Sequence, residues 1–199
     1  MTSTAPQAAL QSYYALHSRI YDATRWSFLF GREAIIRRAA GFINPRRILE
    51  VGCGTGRNLR SLQRYFPEAE ITGLDLSADM LRIAKTKTSG VKLIQCAYDA
   101  PAGGFDLILC SYALSMFNPG WDLAIQTAAA DLNPNGIIAV VDFYHTEVQW
   151  FERWMRHNHV RMQGHLWPLL RQSFTPLSDT RHSAYGGLWH YGFFIGRKV

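Results

Sequence analysis

Residues 48–58 read ILEVGCGTGRN, from Ile48 to Asn58, and place three glycines directly after a short apolar run. The run has the composition of a buried strand, and the residues that follow have helical spacing. Because glycine lacks a Cβ and adopts positive φ, a ligand can approach this backbone closely. Arg57 stands where the GxGxxG pattern of dinucleotide sites has its third glycine. The pattern predicts a cofactor loop and argues against a nicotinamide cofactor.

An acidic residue, Asp75, follows this loop at the end of the next strand-like run, residues 69–76. The interval is close to the one at which a carboxylate reaches ribose hydroxyls in dinucleotide sites. A carboxylate that accepts hydrogen bonds from both hydroxyls can bind any adenosyl ribose. We therefore expect Asp75 to contact a nucleoside.

The rest of the chain alternates strand and helix patterns, which predicts an α/β fold with a doubly wound, mostly parallel sheet. Residues 10–42 indicate two short helices, and residues 147–171 indicate one or two helices crowded with aromatic and histidine residues. Turn chemistry at Gly186 and Gly187 predicts a closing antiparallel hairpin of residues 181–185 and 188–197. We expect one domain, with an N-terminal helical lid (1–43), a cofactor-binding core (44–143), a helical insertion (144–178) and the hairpin (179–199).

The spacing GxGxG and the acidic residue after the second strand resemble motif I and the following acidic motif of class I S-adenosylmethionine-dependent methyltransferases. The five strands plus a hairpin are similar to that family's Rossmann-like, seven-stranded sheet. The resemblance covers residues 48–199 and implies S-adenosylmethionine as the cofactor. It implies that Asp75 binds the ribose, that Leu76 and Met80 border the adenine, and that the remaining contacts come from Glu50, Gly52, Cys53, Gly54, Thr55, Gly56 and Asn58.

Two parts of this site stay open in the sequence. At the adenine, Asp99 fills the acidic position of related methyltransferases, or the contacts come from the backbone and Tyr98, which we favour. The fourth strand ends at Ser111 and Tyr112, and the carboxyl edge faces the transferred methyl group in this fold. We therefore expect Ser111 to contact the cofactor and Tyr112 to border the reaction centre.

Residues 13–32, YYALHSRIYDATRWSFLFGR, resemble the opening of bacterial diacylglyceryl-homoserine N-methyltransferases, which make betaine lipids. Phosphatidylethanolamine N-methyltransferases begin somewhat similarly. In many methyltransferases the tyrosine at the position of Tyr21 covers the cofactor, whereas Trp26 also suits an ordinary aromatic helix face. An acceptor amine must lose a proton before methyl transfer, and we name Tyr14 and Tyr112 as candidate catalytic residues.

Composition limits the partners. The net charge of +6 favours an acidic partner, and arginines beside aromatics suit an anionic membrane surface, which Arg32, Arg37 and Arg38 would contact together with residues 150–167. Nucleic acid is disfavoured because the charge is scattered, and no metal site is expected. Three cysteines without metal-ligand spacing, and no apolar run of about 20 residues, predict a cytoplasmic protein that is neither exported nor integral. A soluble small-molecule acceptor and a catalytically silent cofactor-binding subunit remain alternatives.

Overall fold

The structure is a computed structural model that describes residues 28–101, 103–158 and 160–198. Several residues named above lie outside these ranges. They are Tyr14, Tyr21 and Trp26, together with the first of the two expected N-terminal helices. Their roles stay predictions.

Seven strands form one sheet in the order β3-β2-β1-β4-β5-β7-β6. Strands β1 to β5 run parallel, and β7 runs antiparallel to both of its neighbours. The predicted fold class is therefore confirmed. The strands are β1 Arg47–Val51, β2 Glu70–Asp75, β3 Lys92–Gln95, β4 Phe105–Ser111, β5 Leu132–His145, β6 Thr175–Ala184 and β7 Trp189–Arg197.

Helices cover both faces of the sheet because the central strands are apolar on both sides. In β1, Ile48 packs into one hydrophobic cluster with Ile36 and Leu62, and Leu49 packs into the other with Ile125 and Leu170. The helices of the described residues are α1 Arg32–Ala39, α2 Arg57–Tyr65, α3 Ala78–Lys87, α4 Trp121–Asp131, α5 Gln149–His157 and α6 Leu166–Ser173. Ser77 caps α3, with its Oγ accepting from the Met80 amide.

One strand boundary differs from the sequence prediction, and another strand contains a turn. Strand β6 starts at Thr175, six residues before the predicted 181, because polar residues on an edge strand do not show the alternation of a buried one. Its register shifts between Pro176 and Ser178. Strand β5 includes a turn around Asn135, whose φ is 65°, and its pairing with β4 shifts register there. Pairing resumes on both sides of this turn.

The three arginines of α1 do not form the basic membrane-facing surface that the sequence suggested. Arg38 donates to the hydroxyls of Ser178 and Thr180 on β6 and lies over the Phe193 ring. Arg32 lies close enough to Glu50 to interact with its charge. Of the three, only Arg37 is exposed. Tertiary contacts engage the other two, which periodicity alone cannot show.

The helical insertion consists of α5 and α6, which differ in burial. Trp167 on α6 is fully buried against β7, so its assignment to a membrane-facing surface was wrong. Trp150 and Trp154 on α5 are exposed. None of the helices in the described ranges is long and apolar enough to cross a membrane.

Candidate cofactor and acceptor site

The glycine loop lies at the carboxyl edge of the sheet, where β1 has β2 on one side and β4 on the other. Such a switch point opens a crevice above the strand ends, and ligands of doubly wound sheets bind there. Gly52 follows β1 with φ of 69°, and a Cβ on it would lie 2.8 Å from the Cβ of Ala113, just after β4. Glycine therefore allows the two strand-end loops to touch.

Asp75 holds the glycine loop against the end of β2. One carboxylate oxygen accepts from the Gly54 amide at 2.8 Å, and the other accepts from the Ser77 amide at 2.9 Å. Burial raises the pKa of Asp75, and hydrogen bonds from the amides of Ser77, Gly54 and Leu76 oppose that shift. A carboxylate has about four acceptor positions, so room for a further donor remains. The arrangement thus fits a carboxylate that still accepts hydroxyl protons of a ribose.

Glu50 is a buried carboxyl, 1% exposed, beneath the loop. Its Oε1 accepts from the Asn58 side-chain amide at 2.7 Å, whereas Oε2 accepts no hydrogen bond from any described residue. Burial raises the pKa of Glu50 to about 8, although the Asn58 bond and the charge of Arg32 lower it. A buried carboxyl with one oxygen oriented by Asn58 and the other without a partner among the described residues is suited to a cationic ligand group.

The loop leaves space at one glycine and fills it at another. A Cβ on Gly54, whose φ is 53°, would meet no described heavy atom within 4 Å, so open space lies beside the loop. A Cβ on Gly56, where α2 begins, would lie 3.0 Å from Ala84 on α3. Gly54 therefore gives a ligand access, and Gly56 allows close helix packing. Cys53 and Thr55, on either side of Gly54, are buried.

On the adenine side, Leu76 and Met80 lie directly after β2 and on the first turn of α3, next to Asp75. The side chain of Tyr98 is buried in the core, where its hydroxyl donates to Asp131 at 2.8 Å. Only the backbone of Tyr98 is thus left to contact an adenine. Asp99 is exposed. The choice between Asp99 and backbone contacts stays open.

Ser111 and Tyr112 lie at the end of β4, beside the glycine loop. The Ser111 hydroxyl is buried and has no hydrogen-bond partner among the described residues. Tyr112 has a φ of 55°, and its hydroxyl donates to the Phe30 carbonyl at 2.7 Å. Burial raises the pKa of Tyr112 well above its usual value. A phenol that already donates its proton, and rarely ionises at neutral pH, is a poor proton acceptor, so the geometry argues against the catalytic role predicted for Tyr112.

Asp142 on β5 is a site residue that the sequence reasoning missed. It is fully buried, and its carboxylate accepts from the amides of Ser115 at 3.1 Å and Phe143 at 2.8 Å. Burial raises the pKa of Asp142 to about 6. The carboxylate fixes the turn after Tyr112 and so positions the end of β4. A single aspartate within the apolar run IIAVVDF was the available signal, since charged residues are seldom buried without partners.

An aromatic cluster continues from Tyr112 along the same edge. The Phe30 ring contacts the rings of Tyr185, Trp189 and Tyr191 at centroid distances of 5.4, 6.0 and 6.1 Å. Antiparallel pairing with β5 brings the start of β7 to this edge, where His145 faces His190. We call Phe30, Tyr185, Trp189 and Tyr191 the aromatic rim. Among the described residues, no group of three His, Cys, Asp or Glu side chains could hold a metal ion here or elsewhere.

The residues of this edge lie in a segment that is similar to known proteins. Residues 48–136 match the family described as "Methyltransferase domain". A trans-aconitate 2-methyltransferase of Rhodopseudomonas palustris is 36% identical over 99 residues, which are 49% of this chain and 38% of that protein. The chain thus spans well under half the length of this curated relative.

Solved structures share the fold at low sequence identity. A 1,6-didemethyltoxoflavin-N1-methyltransferase of Burkholderia thailandensis, determined with S-adenosylhomocysteine, has a TM-score of 0.73 and 20% identity, and the match covers 100% of this chain and 92% of that one. An N-methyltransferase of Bradyrhizobium japonicum has a TM-score of 0.68 and 15% identity, covering 84% and 85%. Residues 48–136, which carry the glycine loop and Asp75, are thus similar to a methyltransferase domain, and the fold of the whole sheet is shared with a structure that holds S-adenosylhomocysteine.

Proposed function

We propose that the protein transfers methyl groups from S-adenosylmethionine to the amine of a lipid headgroup of the diacylglyceryl-homoserine type. The observation that carries this proposal is the place where the lipid-type sequence segment ends. Phe30 and Arg32 close that segment, and the Phe30 carbonyl binds Tyr112 at the end of β4. The segment that resembles lipid N-methyltransferases therefore reaches the edge where the acceptor must enter.

In this proposal the chain's own residues bind and orient the reactants. The cofactor supplies an electrophilic methyl group on a sulfonium. Asp75 would accept hydrogen bonds from the ribose hydroxyls of the cofactor. Glu50 would pair with the ammonium of its methionyl group, and the loop amides at the start of α2 would face the carboxylate of that group. Displacement on a methyl group needs in-line placement and exclusion of water, which buried strand ends provide. Tyr14 remains the proposed proton acceptor, in the segment outside the described residues.

The aromatic rim favours an amine acceptor. Ammonium groups, and more so methylated ones, are attracted to the faces of tryptophan, tyrosine and phenylalanine within about 6 Å. Tyr185 is 57% exposed and lies next to Trp189, at a centroid distance of 5.0 Å. Trp189 is buried, so the exposed rings of Tyr185 and Phe30 are the faces that the rim offers to an amine that becomes cationic as it is methylated.

Two other acceptors have support of their own. The similarity to trans-aconitate 2-methyltransferases favours a small carboxylic acid, and Arg32 beside Glu50 provides a cation near the site. The N-terminal resemblance extends to phosphatidylethanolamine N-methyltransferases, which act on a headgroup with a primary amine. A silent subunit that binds cofactor without turnover is the non-enzymatic alternative.

A direct assay separates these acceptors. The protein is incubated with methyl-labelled cofactor and, in parallel, detergent-solubilised diacylglyceryl-homoserine, phosphatidylethanolamine and trans-aconitate, with an Asp75→Ala variant as the inactive control. We expect label in the homoserine lipid alone. Label in phosphatidylethanolamine or trans-aconitate alone moves the assignment to that acceptor, and calorimetric cofactor binding without any labelled product indicates a silent subunit.

The cofactor loop itself is tested by Gly54→Val. The branched side chain would fill the open space beside the loop and strain a positive φ, so we expect S-adenosylmethionine to bind about tenfold more weakly, about 1.4 kcal/mol. Gly90→Val is the matched control, because Gly90 also has positive φ and open surroundings but precedes β3 at the opposite edge. Calorimetry on both folded variants checks this. Equal affinities would show that no ligand lies beside Gly54.

A further inference from the structure

Helix α5 presents two unlike faces. Phe151 and Met155 are buried, whereas Trp150 and Trp154 are 60% and 48% exposed. Arg153 and His157 are also exposed and lie on the same outer face, since positions 150, 153, 154 and 157 repeat at helical spacing. We call these four residues the α5 outer face. A contiguous patch of exposed apolar side chains marks an interaction surface more often than single, scattered apolar residues do.

The α5 outer face is fixed to the carboxyl edge of the sheet by ring stacking. The Phe151 ring lies 5.3 Å from that of Trp189, and Phe28 lies 5.8 Å from Trp154. Trp189 in turn contacts Phe30 and Tyr185 of the aromatic rim. The exposed tryptophans and the acceptor edge are therefore joined by a continuous aromatic layer.

The chemistry of this face is that of a lipid interface. Tryptophan prefers the headgroup layer of a bilayer, where its ring is apolar and its N–H finds a partner. Arginine beside it pairs with phosphate, and anionic lipids attract basic residues. The helix carries Arg153 and Arg156 against the single carboxylate of Glu152, which pairs with Arg156 at 2.8 Å, so Arg153 keeps its charge available to a ligand. Tryptophan and arginine also mark protein interfaces, so a protein partner is the outcome against which the lipid interface is tested.

We propose that the α5 outer face docks on the headgroup layer of an anionic bilayer and brings the aromatic rim to the lipid. This proposal rests on the proposed lipid acceptor, since it supplies the surface from which that acceptor is taken. It also replaces α1 as the contact surface, because Arg32 and Arg38 face the protein itself.

Vesicle co-sedimentation tests the docking surface. Vesicles of phosphatidylcholine with about one third phosphatidylglycerol are compared with pure phosphatidylcholine, using the parent, the Trp150→Ala/Trp154→Ala variant and Arg153→Glu. We expect each variant to bind anionic vesicles at least tenfold more weakly, and the parent to prefer them over neutral ones. Phe42→Ala and Arg60→Glu are matched controls, since Phe42 lies exposed at the opposite edge and Arg60 on α2.

The remaining outcomes are distinct. Because Trp154 packs on Phe28, thermal unfolding is measured for every variant, and Trp150→Ala alone serves if the double variant is unstable. Unchanged vesicle binding by folded variants overturns the docking surface, as does a concentration-dependent dimer in sedimentation velocity that the tryptophan changes abolish. Methylation of detergent-solubilised lipid should persist in the α5 variants. If the parent does not methylate detergent-solubilised lipid, the proposed function is contradicted instead.

Discussion

Replacing Asp75 with alanine is expected to weaken S-adenosylmethionine binding about 100-fold, or about 2.8 kcal/mol. The change removes the acceptor for the ribose hydroxyls, and a hydrogen bond to a charged group contributes about 1.5–3 kcal/mol. It also releases the amides of Gly54 and Ser77, so the glycine loop loses its attachment to β2. Isothermal titration at neutral pH measures the effect.

Two further variants identify which loss matters for Asp75. Asp75→Asn keeps one acceptor oxygen and should lose about tenfold, because a neutral amide accepts more weakly than a carboxylate. Asp122→Ala removes an exposed carboxylate at the start of α4 and should bind cofactor normally. A folded Asp75→Ala protein with parental affinity would refute the nucleoside contact.

Replacing Glu50 with glutamine is expected to weaken cofactor binding about 30-fold, or about 2 kcal/mol, because the ammonium loses a buried counter-charge.

The pKa of Glu50 is about 8 without ligand, and a bound cation lowers it. Binding below pH 8 therefore releases a proton, and the parent's affinity should rise by up to tenfold from pH 6 to pH 7. Titrations at several pH values should show that slope in the parent and a flat profile in Glu50→Gln. Glu33→Gln, an exposed position, is the control. A parental slope in Glu50→Gln would assign the proton to another group.

The same carboxyl has the opposite effect on stability without cofactor. Its pKa is raised from 4.5 to about 8 on folding, so between these values the folded state holds a proton that the unfolded state has lost. The free energy of unfolding therefore falls as the pH rises through this window. Glu50→Gln should be more stable than the parent at pH 8, by roughly 2 kcal/mol, which chemical denaturation at pH 5 and pH 8 measures. The proposed function would thus use a carboxylate that the fold disfavours.

The fold class and the cofactor loop could be predicted from the sequence because the motifs that indicate them are contiguous. The glycines, the strand before them and Asp75 fall within 28 residues, and each has a chemistry that only a few structures use. Tyr98 and Tyr112 were harder, because their hydroxyls bond to Asp131 and to the Phe30 carbonyl, 33 and 82 positions away. A tyrosine at a strand end has the same local pattern whether it faces a ligand or the core.

The aromatic and basic residues show the same limit. Trp150 and Trp167 occur in similar surroundings in the sequence, yet the first is exposed and the second is covered by β7. Arg38 is engaged by two hydroxyls that lie 140 and 142 positions further along the chain. The register of the closing hairpin, which periodicity does not fix, decides which hydroxyls reach Arg38 and what covers Trp167.

The two edge strands of the sheet bear on how the protein behaves at high concentration. An open strand edge can pair with a neighbouring molecule, and proteins prevent such pairing with short strands, prolines, bulges and charges. Here β3 has four residues, and β6 carries Pro176, a register shift beside it, and Asp179 bound to Arg171 at 2.7 Å. Crowding on a two-dimensional surface raises the local concentration of an enzyme. These blunted edges would let many copies work side by side without assembling into aggregates.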